Sequence, residues 1–228
     1  MLSFFAKYKF FGIFLFVLSA IIITIIYNVL KPEERLPVFQ PNMVNNELVD
    51  STMQEVRKYH TIQEFELYNQ NGDTITRDFY DGKIYVADFF FTTCQTICPI
   101  MTDHMLEIQE KLKDDDDVLL LSHTVIPAYD SVPVLRQYAD EKGVMDEKWN
   151  LVTGDKKEIY DLARKSYLAA KSDGDGGPFD MIHTENFVLV DKQKRIRGFY
   201  DGTDPSAIDE LMQDIEILKQ EGRQADPN

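Results

Sequence analysis

The chain contains two cysteines, and both lie in one short segment. Cys94 and Cys98 are separated by three residues, and Pro99 follows the second of them. A thiolate is the form of cysteine that attacks disulfides, and it is also the form that binds metal ions. The spacing therefore predicts a pair that acts together, as a redox dithiol, as part of a metal site or as a local disulfide.

The residues on either side predict where the two thiols lie. Residues 83–91 form an almost continuous apolar run, which is typical of a central strand covered on both faces, and residues 101–112 carry apolar side chains at helical spacing. Because Pro99 favours a first helical turn, we expect Cys94 in the loop before the helix and Cys98 displaced from helical angles. A helix N-terminus stabilises negative charge, so we expect lowered pKa values for both thiols.

A metal site at the cysteines would need a third ligand. Two thiolates suit a monovalent copper ion, and one imidazole completes a three-coordinate site for that ion or for divalent copper. We expect His60 to be a surface residue outside the core and His104 to lie off the apolar stripe of its helix. His123 follows a strand whose carboxyl end borders the usual ligand crevice of an open sheet. His183 precedes a later strand, where thioredoxin-like proteins place a cis-proline opposite their cysteines.

The rest of the chain alternates between strand and helix signals. Asn71-Gly72, the favoured pair for a type I′ turn, is predicted to join strands at 65–68 and 73–76. Further strands are predicted at 118–122, 185–190 and 195–200, and helices at 132–142, 156–167 and 205–220. This order predicts a thioredoxin-like α/β fold, a central mixed sheet with flanking helices, in which the thiols lie between a central strand and its helix.

An apolar segment precedes the predicted domain. Residues 10–30 carry no charged side chain, and about 20 such residues cross a bilayer as a helix. A cleaved signal has a shorter apolar region, about 7–15 residues, and a small-residue cleavage site. We therefore predict a single-pass inner-membrane anchor with residues 1–9 in the cytoplasm and the soluble domain in the periplasm or an equivalent extracytoplasmic space.

Composition predicts the remaining organisation and excludes one class of partner. Residues 31–59 hold three prolines and no apolar periodicity, so we predict a tether, followed by one domain at 60–222 and a flexible tail at 223–228. The formal net charge is −15, and all 39 acidic residues follow residue 31. Such acidity argues against nucleic acid as a partner and favours cationic small species or basic protein surfaces.

The segment Phe-Phe-Thr-Thr-Cys-Gln-Thr-Ile-Cys-Pro at 90–99 resembles the Cys-x3-Cys-Pro loop of the Sco/SenC family. These membrane-anchored copper proteins help to assemble the binuclear copper centre of cytochrome c oxidase. His183-Thr184 before a strand, the hairpin at Asn71-Gly72 and the single N-terminal span are also similar, and the resemblance covers residues 60–220. One departure is at 125–131, where the family commonly reads Val-Asp-Pro-x-x-Asp-Thr and this chain has Ile126 in place of the first aspartate.

The resemblance implies a copper chaperone in which Cys94, Cys98 and His183 bind copper, as Cu(I) or also Cu(II), and deliver it to the copper-bearing subunit of the oxidase. Other copper chaperones and thiol reductases are further candidate partners. The alternative is an extracytoplasmic thiol-disulfide oxidoreductase, with Cys94 and Cys98 as redox residues, that keeps the receiving cysteines reduced. A thiol peroxidase is disfavoured because no spacing brings Arg136 or Arg164 to the thiols, and a purely structural disulfide would close too small a loop to stabilise much.

Overall fold

The computed structural model describes residues 2–30, 35–45, 49, 53–170, 180–182 and 184–225. The chain divides into two compact units, Met1–Arg35 and Leu36–Asn228. The first unit contains helix α1, Leu2–Leu30. Within it, Lys9–Tyr27 is long and apolar enough to cross a membrane by length and composition, with a mean hydropathy of 2.7, although a signal sequence would pass the same test.

The described part of the second unit contains seven strands, β1 Glu66–Asn69, β2 Thr74–Thr76, β3 Ile84–Phe90, β4 Val118–Thr124, β5 Trp149–Thr153, β6 Asn186–Val190 and β7 Ile196–Asp201. They form one mixed sheet in the order β2-β1-β5-β4-β3-β6-β7. Strands β3, β4 and β5 are parallel, and the strands on both sides of them pair antiparallel. This arrangement confirms the predicted fold class.

Helices cover both faces of the sheet. They are α2 Cys98–Leu112, α3 Val132–Lys142, α4 Lys156–Asp161, a π-helical turn at Leu162–Ser166 and α5 Pro205–Ala225, with short 3-10 turns at Pro41–Met43 and Arg77–Tyr80. Helices α2, α3 and α5 pack on one face of the sheet. Helix α4, the π-helical turn that continues it and the chain before β1 pack on the other face.

Strands β3 and β4 lie at the centre of the sheet, as the apolar runs predict. All seven residues of each strand are buried, and the two strands pair in parallel along their whole length. The carboxyl ends of parallel strands meet at one edge of a sheet, which is where ligands bind in open α/β folds. The cysteine segment follows β3 directly, so the fold places it at this edge.

The structure departs from the sequence analysis in three places, one strand without a prediction and two predictions that differ. Strand β5 was not predicted, because Asn150 and Thr153 break its apolar run. It forms a strand because it pairs in parallel with β4, a segment distant in the sequence. The predicted helix at 156–167 is α-helical only to Asp161 and then becomes the π-helical turn. The Asn71-Gly72 turn is not type I′, since Gly72 has a φ of +81° but Asn71 has no positive φ.

Parts of the segment predicted to be a tether, residues 31–59, pack on the sheet. The Phe39 N–H donates to the Ile196 carbonyl at 2.9 Å. The buried Arg197 guanidinium donates to the carbonyl oxygens of Leu36 and Pro37 at 2.7 and 2.9 Å. These described residues therefore differ from a free spacer, and the compact unit includes chain upstream of residue 60. Residues 31–34, 46–48 and 50–52 lie outside the described residues, as do 226–228 of the predicted tail.

Candidate functional site

The two cysteines lie where β3 passes into α2. Cys94 is partly exposed in the loop, as predicted, and Cys98 is 4% exposed and begins the helix. The expectation that Pro99 displaces Cys98 from helical angles is wrong. The Met101 N–H donates to the Ile97 carbonyl at 3.0 Å, so the first turn closes upstream of the proline and Cys98 belongs to it.

Both cysteines are free thiols, and they are hydrogen-bonded to each other. Burial alone would raise the pKa of Cys94, but hydrogen bonds from Thr96 and Cys98 outweigh it and lower that pKa to about 7. The Thr96 hydroxyl lies 3.5 Å from the Cys94 sulfur. Cys94 is therefore substantially ionised at neutral pH, as predicted.

The prediction of a lowered pKa is wrong for Cys98. Burial above all, together with its hydrogen bond to Cys94 and the nearby charges of Cys94 and Asp88, raises the pKa of Cys98 to about 12. The sulfur lies among the apolar side chains of the α2, α3 and α5 layer, where a thiolate loses its hydration. The pair thus contains one reactive, accessible thiol and one buried, protonated thiol.

A small cavity of about 70 Å³ opens beside the two sulfurs. Its wall is mainly apolar with two threonines, and it brings the loop after β3, the end of β4 and the chain before β6 together. The lining residues are Phe89, Phe91, Cys94, Thr96, Ile97, Cys98, Val125, Ile182 and Thr184.

The third predicted ligand, His183, lies outside the described residues. Its two neighbours in the chain, Ile182 and Thr184, both line the cavity beside the thiols. Within the described part of the chain, no group of three or more His, Cys, Asp or Glu side chains could hold a metal ion. The structure therefore brings Cys94 and Cys98 together, and the contribution of His183 stays a prediction.

His123 lies inside the domain and does not line the cavity. Its side chain is 0% exposed, its ring stacks on Phe89 at 4.8 Å between centroids, and its Nδ1 lies 3.3 Å from the Asp88 carbonyl oxygen. Among the described residues no hydrogen-bond partner reaches its Nε2. Burial lowers the pKa of His123 to about 4, so the ring is neutral at physiological pH.

The other two histidines have structural contacts. His60 is only 6% exposed and its Nε2 lies 2.7 Å from the Ser166 carbonyl oxygen, so its predicted surface location is wrong. Burial lowers the pKa of His60. His104 lies on α2, and its Nδ1 is 2.7 Å from the Gly202 carbonyl oxygen. The described contacts therefore give both imidazole rings a structural role.

Two buried aspartates near the site were not singled out from the sequence. Asp88 accepts a hydrogen bond from the Ser122 hydroxyl, and burial raises the pKa of Asp88 to about 7. Asp130 is fully buried and accepts hydrogen bonds from Thr92 and Thr124. The available signals were a single acid within an otherwise apolar strand and the acid of the 125–131 segment that matches the family pattern.

Comparison with known proteins identifies relatives. A family model described as SCO1/SenC matches residues 53–220. The SCO1 protein homolog of Bacillus subtilis strain 168 is 32% identical over 158 residues, which cover 68% of this chain and 81% of that protein.

Solved structures are similar over the same region. BsSco, described as a member of the Sco family of cytochrome c oxidase assembly proteins with a disulfide switch, is 30% identical with a TM-score of 0.60, covering 70% of this chain and 93% of that one. Copper-bound yeast Sco1 is 22% identical with a TM-score of 0.53, covering 69% and 90%, and this likeness concerns the fold.

Proposed function

Because the chain belongs to the SCO1/SenC family, we propose that it is a membrane-anchored copper chaperone. Copper, its cargo, binds to Cys94, Cys98 and His183 and is delivered to the binuclear copper centre of cytochrome c oxidase during assembly. The observation that carries the proposal is the juxtaposition of two free, hydrogen-bonded thiols at the wall of one cavity. A copper-bound relative and an oxidase-assembly relative support the identity of the cargo and of the receiver.

The chemistry of the donor set fits this cargo. Soft thiolates select monovalent copper over the hard cations, and an imidazole nitrogen is compatible with both copper oxidation states. Cys94 offers a thiolate at neutral pH because hydrogen bonds lower its pKa to about 7. Burial holds the proton on Cys98, so copper binding must displace that proton, and affinity should increase with pH.

Helix α1 supports the membrane anchor of the proposed location. The apolar helix anchors the chain in the inner membrane through residues 10–30, with residues 1–9 in the cytoplasm and the domain in the periplasm or an equivalent space. The receiver is then the copper-bearing subunit of the oxidase. Other copper chaperones and thiol reductases are the partners that would load and reduce the site.

An anaerobic Cu(I) titration of the full-length chain in detergent, against a competing chelator, tests the proposal. We expect one copper ion per chain, no tight binding by Cys94→Ser or Cys98→Ser, and affinity reduced by about tenfold or more in His183→Ala. His104→Ala is the matched control, because His104 also belongs to this unit but bonds the Gly202 carbonyl away from the cavity lining. Undiminished binding by Cys94→Ser and His183→Ala would refute the chaperone.

A second function is favoured by the asymmetry of the thiols. Cys94 is accessible with a pKa of about 7, whereas Cys98 is buried with a pKa of about 12, which suits a nucleophile and a resolving thiol. The Cys94 thiolate attacks a target disulfide and releases one target thiolate. Cys98 then loses its proton and attacks the Cys94 sulfur, which releases the second target thiol. The target gains two electrons, this pair becomes a disulfide, and an external thiol reductant must restore it.

The reductase role has its own test. The reduced chain is mixed with a peptide whose two cysteines form a disulfide, as in an oxidised dithiol copper site. We expect reduction of the peptide by the wild-type chain, a trapped mixed disulfide with Cys98→Ser and no reaction with Cys94→Ser. Absence of both reduction and the mixed disulfide would contradict the reductase.

A further inference from the structure

A buried carboxylate joins the loop that carries Cys94 to the loop after β4. The Asp130 side chain is 0% exposed. Its Oδ1 accepts a hydrogen bond from the Thr92 hydroxyl at 2.5 Å, and its Oδ2 accepts one from the Thr92 N–H at 3.2 Å. The Thr124 hydroxyl, at the end of β4, also donates to Oδ2 at 2.5 Å. One carboxylate therefore binds the chain at the ends of two neighbouring parallel strands.

Neutral donors hold this carboxylate. No lysine or arginine nitrogen within the described residues lies within 4.0 Å of it. A buried carboxylate is costly unless hydrogen bonds replace its lost hydration, so its donors must stay in place for the fold to tolerate it. Thr92 supplies both its N–H and its hydroxyl, which defines the position and the orientation of that residue.

Hydrogen bonds also hold the turn that carries Asp130. The Asp130 N–H donates to the Ile126 carbonyl at 3.0 Å, and the Ile126 N–H donates to the Thr124 hydroxyl oxygen at 3.1 Å. Val125, which lines the thiol cavity, donates its N–H to the Phe90 carbonyl at 2.9 Å. The loop after β4 thus presents the carboxylate from a closed turn fastened to the end of β3.

Thr92 lies two residues before Cys94 in a turn that the Cys94 N–H closes on the Phe91 carbonyl at 3.3 Å. We propose that Asp130 is a positioning residue which, through Thr92, holds the Cys94 turn so that the Cys94 sulfur meets the Cys98 sulfur. The inference rests on the proposed function insofar as the positioned sulfurs bind copper. It also makes a prediction that needs no copper, because two sulfurs held together form their disulfide more readily.

Substitutions at the Asp130–Thr92 contact and at a distant hydroxyl–carboxylate pair separate positioning from stability. Asp130→Asn replaces one acceptor oxygen with a donor amide, and Thr92→Val removes the Thr92 hydroxyl from a partly exposed site, so it is the milder variant. Thr92→Ser keeps both donors and should behave as wild type. Tyr200→Phe is the matched control, because it also removes a hydroxyl that donates to a carboxylate, that of Asp214 at 2.6 Å, and neither residue lines the cavity beside the thiols.

Two measurements on the full-length chain in detergent give the result. We expect Asp130→Asn and Thr92→Val to weaken Cu(I) binding about tenfold and to lower the equilibrium constant for the Cys94–Cys98 disulfide in glutathione buffers by a similar factor. The charge-transfer band of the Cu(II)-loaded chain should also shift. Tyr200→Phe should lower the unfolding midpoint while leaving the copper affinity and the disulfide equilibrium unchanged.

Each outcome decides the inference. Wild-type copper affinity and wild-type disulfide equilibrium in both Asp130→Asn and Thr92→Val would overturn it, as would equal losses in Tyr200→Phe, because the effect would then be general destabilisation. If the wild-type chain binds no copper but Thr92→Val still lowers the disulfide equilibrium, the chaperone proposal fails and the positioning role of Asp130 stands.

Discussion

Replacing His123 with phenylalanine should remove a pH dependence that the folded domain otherwise carries. The ring is 0% exposed, stacks on Phe89 and meets the edge of the Tyr167 ring at 5.2 Å between centroids. Its Nδ1 lies 3.3 Å from the Asp88 carbonyl, and its Nε2 has no hydrogen-bond partner among the described residues. Phenylalanine keeps an aromatic ring, one atom larger, and removes the titrating nitrogen atoms together with the Nδ1 contact to Asp88.

The sign and size follow from the pKa. Burial lowers the pKa of His123 from 6.5 to about 4, so the unfolded chain binds more protons than the folded chain between these values. The stabilising contribution of the neutral ring is fully present above about pH 6.5 and is lost as the pH falls towards 4. Lowering the pKa from 6.5 to about 4, at about 1.4 kcal/mol per unit, corresponds to about 3.5 kcal/mol in full, of which about 3 kcal/mol is lost between pH 7 and pH 4.

Asp88 gives the stability a pH dependence of the opposite sign, which must be separated from that of His123. Burial raises the pKa of Asp88 from 3.8 to about 7, so the folded chain binds the additional proton and its contribution becomes more favourable as the pH falls over that range. The wild-type stability curve is therefore a sum of two opposing effects. Only the difference between His123→Phe and wild type isolates the histidine, and the same difference is expected in an Asp88→Asn background.

Urea unfolding followed by tryptophan fluorescence measures this difference. Trp149 is the single tryptophan of the chain and is 2% exposed in β5, so its emission reports the domain even in the full-length protein in detergent. From pH 7 to pH 4, the free energy of unfolding of His123→Phe should rise relative to wild type by about 3 kcal/mol. A difference between the two proteins that does not change with pH would refute the reasoning.

Three further substitutions test individual contacts by urea unfolding. Arg164→Met removes the bidentate partner of Asp180, a pair 7% and 8% exposed, and should lower the free energy of unfolding by about 3–5 kcal/mol; a loss below about 1 kcal/mol would contradict the burial argument. Gly143→Ala places a side chain at a φ of +82° with no atom within 4 Å, so it should cost about 1–2 kcal/mol from backbone conformation alone. Asp155→Ala removes the cap that accepts the Glu158 N–H at 2.9 Å and should cost about 1 kcal/mol, whereas Asp155→Asn should retain most of the stability.

Local sequence patterns determined much of the fold. The apolar runs of β3 and β4 have no polar face, so these strands had to be central, and Gly143 ends α3 in the left-handed conformation that its position in the pattern predicts. Strand β5 lacks such an apolar run, since it contains Asn150. This side chain can be buried because it accepts a hydrogen bond from Asn69 on the neighbouring strand β1. Pairing between distant segments decides such an element.

The site divides in the same way. The sequence by itself determined that Cys94 and Cys98 form a pair between a central strand and its helix, because a three-residue spacer and a following proline act over a few residues. Only the tertiary structure decided that the two thiols have opposite pKa shifts, since these depend on which sulfur the α2, α3 and α5 layer buries. It also revealed Asp130, whose hydrogen bonds to Thr92 join residues 38 positions apart, a distance over which no local pattern extends.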